Sequence, residues 1–190
     1  MKHLSDQELM RIVQAGDYSP ASELYDRYSG RIHAFAFRFL RNAQAAEDAT
    51  QEVFLKMLKH ASQFNGEARL STWLFSITAN WCRDYLRRAD NRTKESDDIL
   101  FEMAGPADLS PDRGVEQREA AQILERGLAV LTDDQREALL LARYQGMTYA
   151  EIAKISGCSE GAVKTRVFRA METLKRILTA EHRLPEETNV

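Results

Sequence analysis

Apolar residues return every three or four positions along almost the whole chain. This spacing predicts helices near 5–15, 20–41, 43–62, 70–90, 116–130, 133–145, 148–156 and 160–179. Alternating polar and apolar runs, the mark of half-buried strands, are nearly absent, so the expected fold class is all-α. Ser5 with Glu8, and Thr148 with Glu151, have the spacing of reciprocal capping boxes, and Pro20 suits a helix start. The periodicity fails between Asn91 and Gly114, where ESDDILFEMAGPADLSPDRG carries two prolines, two glycines and clustered acids. The expected organisation is therefore two small helical domains, 1–91 and 116–180, joined by a flexible linker over 92–115 and followed by a tail, 181–190. Ile99, Leu100, Phe101 and Met103 make the linker more apolar than a spacer requires, as either a docking segment or an incidental cluster.

Projected at about 100° per residue, three helices have faces that the core does not account for. In 43–62, Ala46, Ala49, Val53, Phe54, Met57 and Ala61 form a wide apolar face, opposite Asp48, Gln51, Glu52, Leu55 and Lys59. Leu55 is stranded among acids and amides, which fits either an incidental exposed leucine or a protein-binding spot. In 70–90, Leu70, Trp73, Leu74, Ile77, Trp81 and Tyr85 read as the core stripe, while Ser76, Asn80, Arg83 and Arg87 line another face that Arg88 and Arg92 extend. A basic stripe beside aromatic residues suits unstacked bases. Residues 148–169, TYAEIAKISGCSEGAVKTRVFR, read as a helix-turn-helix: Gly157 suits a left-handed end to the first helix and Ser159 a cap for the second. Val163, Val167, Ala170, Leu174 and Ile177 then face inward, Thr165, Arg169 and Arg176 outward, and Lys164 and Arg166 flank the stripe. Phe168 sits off the apolar stripe and asks for a partner.

The formal charge of −3 looks wrong for a nucleic-acid binder until it is divided along the chain. Acid concentrates in 96–130, with eight acidic against three basic residues. Within 154–176 six basic residues face only Glu160 and Glu172. Cys82 and Cys158 are the only cysteines and lack metal-ligand spacing, and His3, His33, His60 and His182 are scattered, so neither a metal site nor a disulfide is expected. No Gly-rich phosphate loop or nucleophile–base pair is legible, which argues against an enzyme and against a cofactor. The N-terminus shows a helix cap where a signal peptide would need an apolar core, and no window approaches a membrane span. A soluble cytoplasmic protein without direct membrane insertion is expected.

The arrangement of these motifs resembles the extracytoplasmic-function (ECF) sigma factors, bacterial initiation factors built from sigma domains two and four. LYDRYSGRIHAFAFRFL at 24–40 is similar to the start of domain two, and Asp48, Gln51, Glu52 and Phe54 match the family's D-x-x-Q-E-x-F signature. STWLFSITANWCRDYLRR at 71–88 is similar to the family's T-W-L-x-x-I-A-x-N-x-x-x-D-x-x-R-R segment, and 116–179 looks like domain four. The resemblance implies that Asp48, Gln51, Glu52 and Leu55 bind the clamp helices of the beta-prime subunit of core RNA polymerase. It implies that Asn80 and the loop 64–69, with Phe64, Asn65 and Arg69, capture a flipped base of the minus-ten element while Arg83 and Arg87 hold the backbone. Lys164, Thr165, Arg166, Phe168 and Arg169 would read the minus-thirty-five element of promoter DNA, the linker would run towards the RNA exit path, and a cognate anti-sigma factor would restrain the protein.

Several positions depart from the family pattern. Thr78 stands where alanine is usual, Trp81 follows Asn80, and the recognition helix opens Glu160, Gly161, Ala162 where threonine is common at the last position, so base preference does not transfer. The tail LPEETNV is expected to carry no further domain. A rival reading, a free-standing helix-turn-helix regulator whose N-terminal domain senses a ligand or partner, accounts for the C-terminal half only.

Overall fold

The three-dimensional structure, a computed structural model, describes residues 3–95 and 115–181. The expected linker core with its apolar cluster at 99–103, and the tail beyond 181, lie outside the described residues. The chain divides into two units, Met1–Ala104 and Gly105–Val190. Among the described residues there are α-helices and one 3-10 turn but no strand.

The first unit comprises α1 (Asp6–Gln14), α2 (Ala21–Leu40), α3 (Ala43–Lys59), the 3-10 turn Ala61–Gln63, and α4 (Leu70–Glu95). α2, α3 and α4 pack mutually, and α1 lies against α2 and the 3-10 turn. Phe35 and Phe39 of α2 stack at 5.9 Å, and Phe35 meets Phe75 of α4 edge-on at 5.6 Å. α3 contributes Ala45, Ala46 and Ala49 to this core, side chains short enough to let neighbouring helices approach closely. α2 and α3 join through Arg41, held left-handed at φ 57°, and Asn42, whose side chain accepts from the Ala45 amide at 2.8 Å. α1 is fixed by the Ser5–Glu8 capping box and by Asp6, which takes Arg27 at 2.9 Å and accepts from the Tyr28 hydroxyl. Burial first, and then that bond, push the Tyr28 phenol well above its ordinary range.

The second unit comprises α5 (Val115–Ala129), α6 (Asp133–Tyr144), α7 (Tyr149–Ser156) and α8 (Glu160–Glu181), with α8 touching all three others. Leu128, Leu139, Leu140, Ile152, Val163 and Ala170 are fully buried among them. Arg136 is buried because its guanidinium works as a cap. It donates to the carbonyls of Leu128, in the last turn of α5, and Leu131, just beyond it, each at 2.9 Å, and pairs with Asp133 at 3.1 Å. Glu137, also buried, accepts from the Ser156 hydroxyl at 2.6 Å and so ties α6 to α7.

Candidate functional site

The outer face of α3 is built by helical spacing alone: Asp48, Gln51, Glu52 and Leu55 stand at i, i+3, i+4 and i+7. Core residues Ala49, Val53 and Met57 occupy the inner face, which forces these four outward. Leu55 is 62% exposed. Asp48 accepts from Gln44 at 3.1 Å, and Glu52 makes a long exposed ion pair with Lys56 at 3.7 Å, so the acids carry out no structural task beyond their own helix. Beside this face an open groove of about 400 Å³ runs between α2 and α3, lined by Tyr25, Ser29, Gly30, His33, Glu47, Thr50 and Gln51. Gln51 belongs to both surfaces.

α4 presents a face different from the one its periodicity predicts. Besides Thr72 in the first turn, the buried residues are Leu70, Leu74, Phe75, Thr78, Ala79, Cys82 and Ala89, so the core stripe is turned by close to one residue step, about 100°, from the expected one. Trp73, Ile77, Trp81 and Tyr85, expected in the core, are only half-buried. The face that packs on α2 and α3 carries Phe75, Ala79 and Cys82, and it admits Thr78 because the hydroxyl donates to the Leu74 carbonyl at 2.9 Å. The indoles lie to one side of it. Trp73 now shares a face with Ser76 and Asn80, and Trp81 stacks on Tyr85 at 5.5 Å. Asn80 is exposed, accepts from the Arg83 guanidinium and leaves its own amide hydrogens available, while Arg87 pairs with Asp84 at 3.0 Å in full solvent.

The loop before α4 corrects a second expectation. Phe64 is 6% exposed and its ring packs on Trp73 at 5.4 Å, so it buttresses the aromatic surface and is not presented to solvent as a base-capturing residue would be. Asn65 and Arg69 are exposed as expected. Asn65 accepts from the Glu67 amide at 3.1 Å, and Gly66 takes φ 75°, a conformation that a β-carbon would strain.

In the second unit, Thr148 and Glu151 form the anticipated capping box and Gly157 ends α7 at φ 62°. Ser159 Oγ accepts from the Ala162 amide at 3.2 Å, so α7 and α8 meet across a turn with both ends satisfied. Val163, Val167 and Ala170 are buried. Lys164, Thr165 and Arg169 are exposed, and Phe168 is 65% exposed. Arg166 departs from expectation. It is half-buried, pairs with Asp134 of α6 at 2.5 Å and donates to Cys158 Sγ at 3.3 Å, so it braces the turn rather than standing free to read DNA. The missed signal was Asp134, whose distance along the chain hides it from any local reading.

Residues 24–92 match the family model Sigma-70 region 2, and 117–174 match Sigma-70, region 4. The chain is 32% identical to the RNA polymerase sigma-H factor of Pseudomonas aeruginosa over 180 residues, covering 91% of this chain and 93% of that one. It is equally 32% identical to the ECF RNA polymerase sigma-E factor of Escherichia coli K12, covering 91% and 94%. The chain belongs to the ECF sigma factors. The sigma factor RpoE of Bartonella quintana, solved in complex with the anti-sigma factor NepR, superposes with a TM-score of 0.73 at 26% identity, covering 83% of this chain and 96% of that one. CnrH, solved with the cytosolic domain of CnrY, shares the fold at a TM-score of 0.68 and 23% identity. In this sigma factor the α3 face, the loop and the outer face of α4 all fall inside region 2, and the helix-turn-helix falls inside region 4. No helix among the described residues is long and apolar enough to cross a membrane, and no group of three or more His, Cys, Asp or Glu among them could hold a metal ion.

Proposed function

We propose that this sigma factor binds core RNA polymerase through Asp48, Gln51, Glu52 and Leu55, and grips promoter DNA through two separate surfaces. The observation that carries the reading is the α3 face, where an exposed leucine sits among acids that the fold does not use. On this reading residues 1–91 form the polymerase- and minus-ten-binding domain, 116–180 the minus-thirty-five domain, and 92–115 the connection between them. Lys164, Thr165, Phe168 and Arg169 of α8 face the major groove of the upstream element. Asn80, with Trp73 beside it and Asn65 and Arg69 in the loop, receives an unstacked base, while Arg83 and Arg87 attract the strand.

Magnitudes explain why both grips are needed. Stacking a base on an aromatic ring is worth roughly 1–3 kcal/mol, and unpairing and unstacking one costs a few kcal/mol, so capture of one or two bases only about balances their extrusion. Local melting is favoured when the upstream grip and the polymerase hold the DNA in place. RNA synthesis itself belongs to the polymerase; this chain supplies binding and orientation in the cytoplasm. As RpoE and its anti-sigma factor illustrate, restraint by a partner that covers these faces is part of the proposal.

The free-standing regulator loses support because the N-terminal unit matches region 2, and the α2–α3 groove shares Gln51 with the α3 face. Size-exclusion of the full chain with core polymerase, followed by binding to a fork-junction promoter, tests the reading. Co-elution and promoter binding that needs both components are the expected outcomes. Promoter binding by the chain alone, without co-elution, would support the regulator instead.

A further inference from the structure

α1 lies before the region 2 match, which begins at residue 24, yet three of its side-chain contacts reach the 3-10 turn and the loop that precede α4. The Gln14 amide nitrogen donates to the carbonyl of Ala61 at 2.9 Å and to that of Phe64 at 2.6 Å. Both partners are carbonyl oxygens, so only the nitrogen end of the amide can face them, and both its hydrogens are used. Gln7, two turns earlier on the same helix, lies 3.4 Å from the Gly66 carbonyl. α1 itself is held to α2 by Asp6 through Arg27 and Tyr28. The loop is therefore clamped at 61, 64 and 66 from α1, while the Phe64 ring anchors it on Trp73 of α4.

This clamp fixes where Asn65 and Arg69 project. Phe64 cannot shift without breaking a bond to Gln14 on one side and its ring contact with Trp73 on the other. A site that discriminates one base from another requires its groups held to within about half an ångström, and such positioning comes from surrounding contacts. We propose that Gln14 is a positioning residue for minus-ten base recognition: from outside the DNA-facing surface, it sets the shape of the loop that carries Asn65 and Arg69. The proposal rests on the reading of that loop and Asn80 as the base-capturing site.

The test uses the full chain with core polymerase and a set of promoters that differ only at single minus-ten positions. The quantity measured is the ratio of open-complex formation on the best base to that on each wrong base. A partly unfolded population lowers all promoters alike and leaves this ratio unchanged, so a merely structural role does not move it. Gln14→Glu sets a carboxylate against two carbonyls, and Gln14→Met removes the donors without adding charge, which keeps the test usable if the glutamate variant folds poorly. The ratio should fall, with about thirtyfold, the worth of two ordinary hydrogen bonds, as its upper limit. Affinity for core polymerase should stay within about twofold, because α3 is untouched.

An unchanged ratio in Gln14→Met overturns the proposal, and so does a loss of core binding and open complexes in equal measure on every promoter. Asn80→Ala serves as the reference. If it lowers the ratio and the Gln14 variants do not, the positioning role fails and the base-capturing site stands. If Asn80→Ala also leaves the ratio intact, the reading of the site itself has failed.

Discussion

Leu55→Asp is the sharpest perturbation of the α3 face. Complete burial of a leucine is worth about 1.5–3 kcal/mol, and Leu55 is 62% exposed, so a partner that covers it gains roughly 1–2 kcal/mol. An aspartate there loses this gain and adds the cost of desolvating a charge beside Asp48 and Glu52, bringing the expected loss to about 3 kcal/mol, a factor near 100 in affinity for core polymerase. The fold should hardly respond, since the side chain touches solvent. Aspartate's lower helix propensity accounts for roughly 0.5 kcal/mol. Leu55→Ala keeps the helix and isolates the apolar part, with an expected loss of about 1 kcal/mol. Fluorescence anisotropy of labelled protein titrated with core enzyme reads the affinity, and thermal unfolding followed by circular dichroism reads the fold. Equal affinity in the wild type and Leu55→Asp would refute the assignment. A collapse of the melting temperature in Leu55→Asp would show that Leu55 serves the fold instead.

Other outcomes separate readings that the sequence left together. Arg169→Ala should weaken promoter binding by roughly 1–3 kcal/mol if it reads a base, or reduce the salt slope by about one if it meets only a phosphate, whereas Arg166→Ala should chiefly lower the melting temperature of the second unit. Equal DNA effects of the two variants in a salt titration would contradict the bracing role of Arg166. Trp73→Ala should reduce open-complex formation by roughly 1–3 kcal/mol, judged by permanganate reactivity, with closed complexes retained; unaltered reactivity would return Trp73 to a purely structural role. Bonds from Ser5 hold the Glu8 carboxyl below its ordinary value of 4.5, so this part of the α1 cap is present above that value and lost as pH falls through the depressed one. An NMR titration of Glu8 should therefore give a midpoint below 4.5 that rises towards it in Ser5→Ala, and a wild-type midpoint at or above 4.5 would be inconsistent with the cap.

Helix limits were legible where local chemistry sets them. The boxes Ser5–Glu8 and Thr148–Glu151 and the left-handed Gly157 depend on residues within a few positions of one another, and the structure reproduces them. α4 was harder. Its sequence offers two apolar stripes, and the choice between them depends on packing against α2 and α3, which buries Phe75, Ala79 and Cys82 and leaves the indoles half-buried. The periodicity also predicts an end near 90, whereas the helix continues to Glu95. The α3 face was legible because one inward stripe leaves a single outward one. Phe64, Arg166 and Gln14 were not, since each role depends on a partner elsewhere: a ring on the next helix, an acid on α6, and carbonyls some fifty positions away. Local periodicity carries no record of such pairings.

Run-off transcription with purified core polymerase and the full chain tests the central claim most directly. The account predicts transcripts that start at defined positions downstream of paired upstream and minus-ten elements, appear only when both components are present, and disappear with Leu55→Asp. Core polymerase that gains no promoter-specific start sites from this chain, on templates that include its own regulatory region, would contradict it.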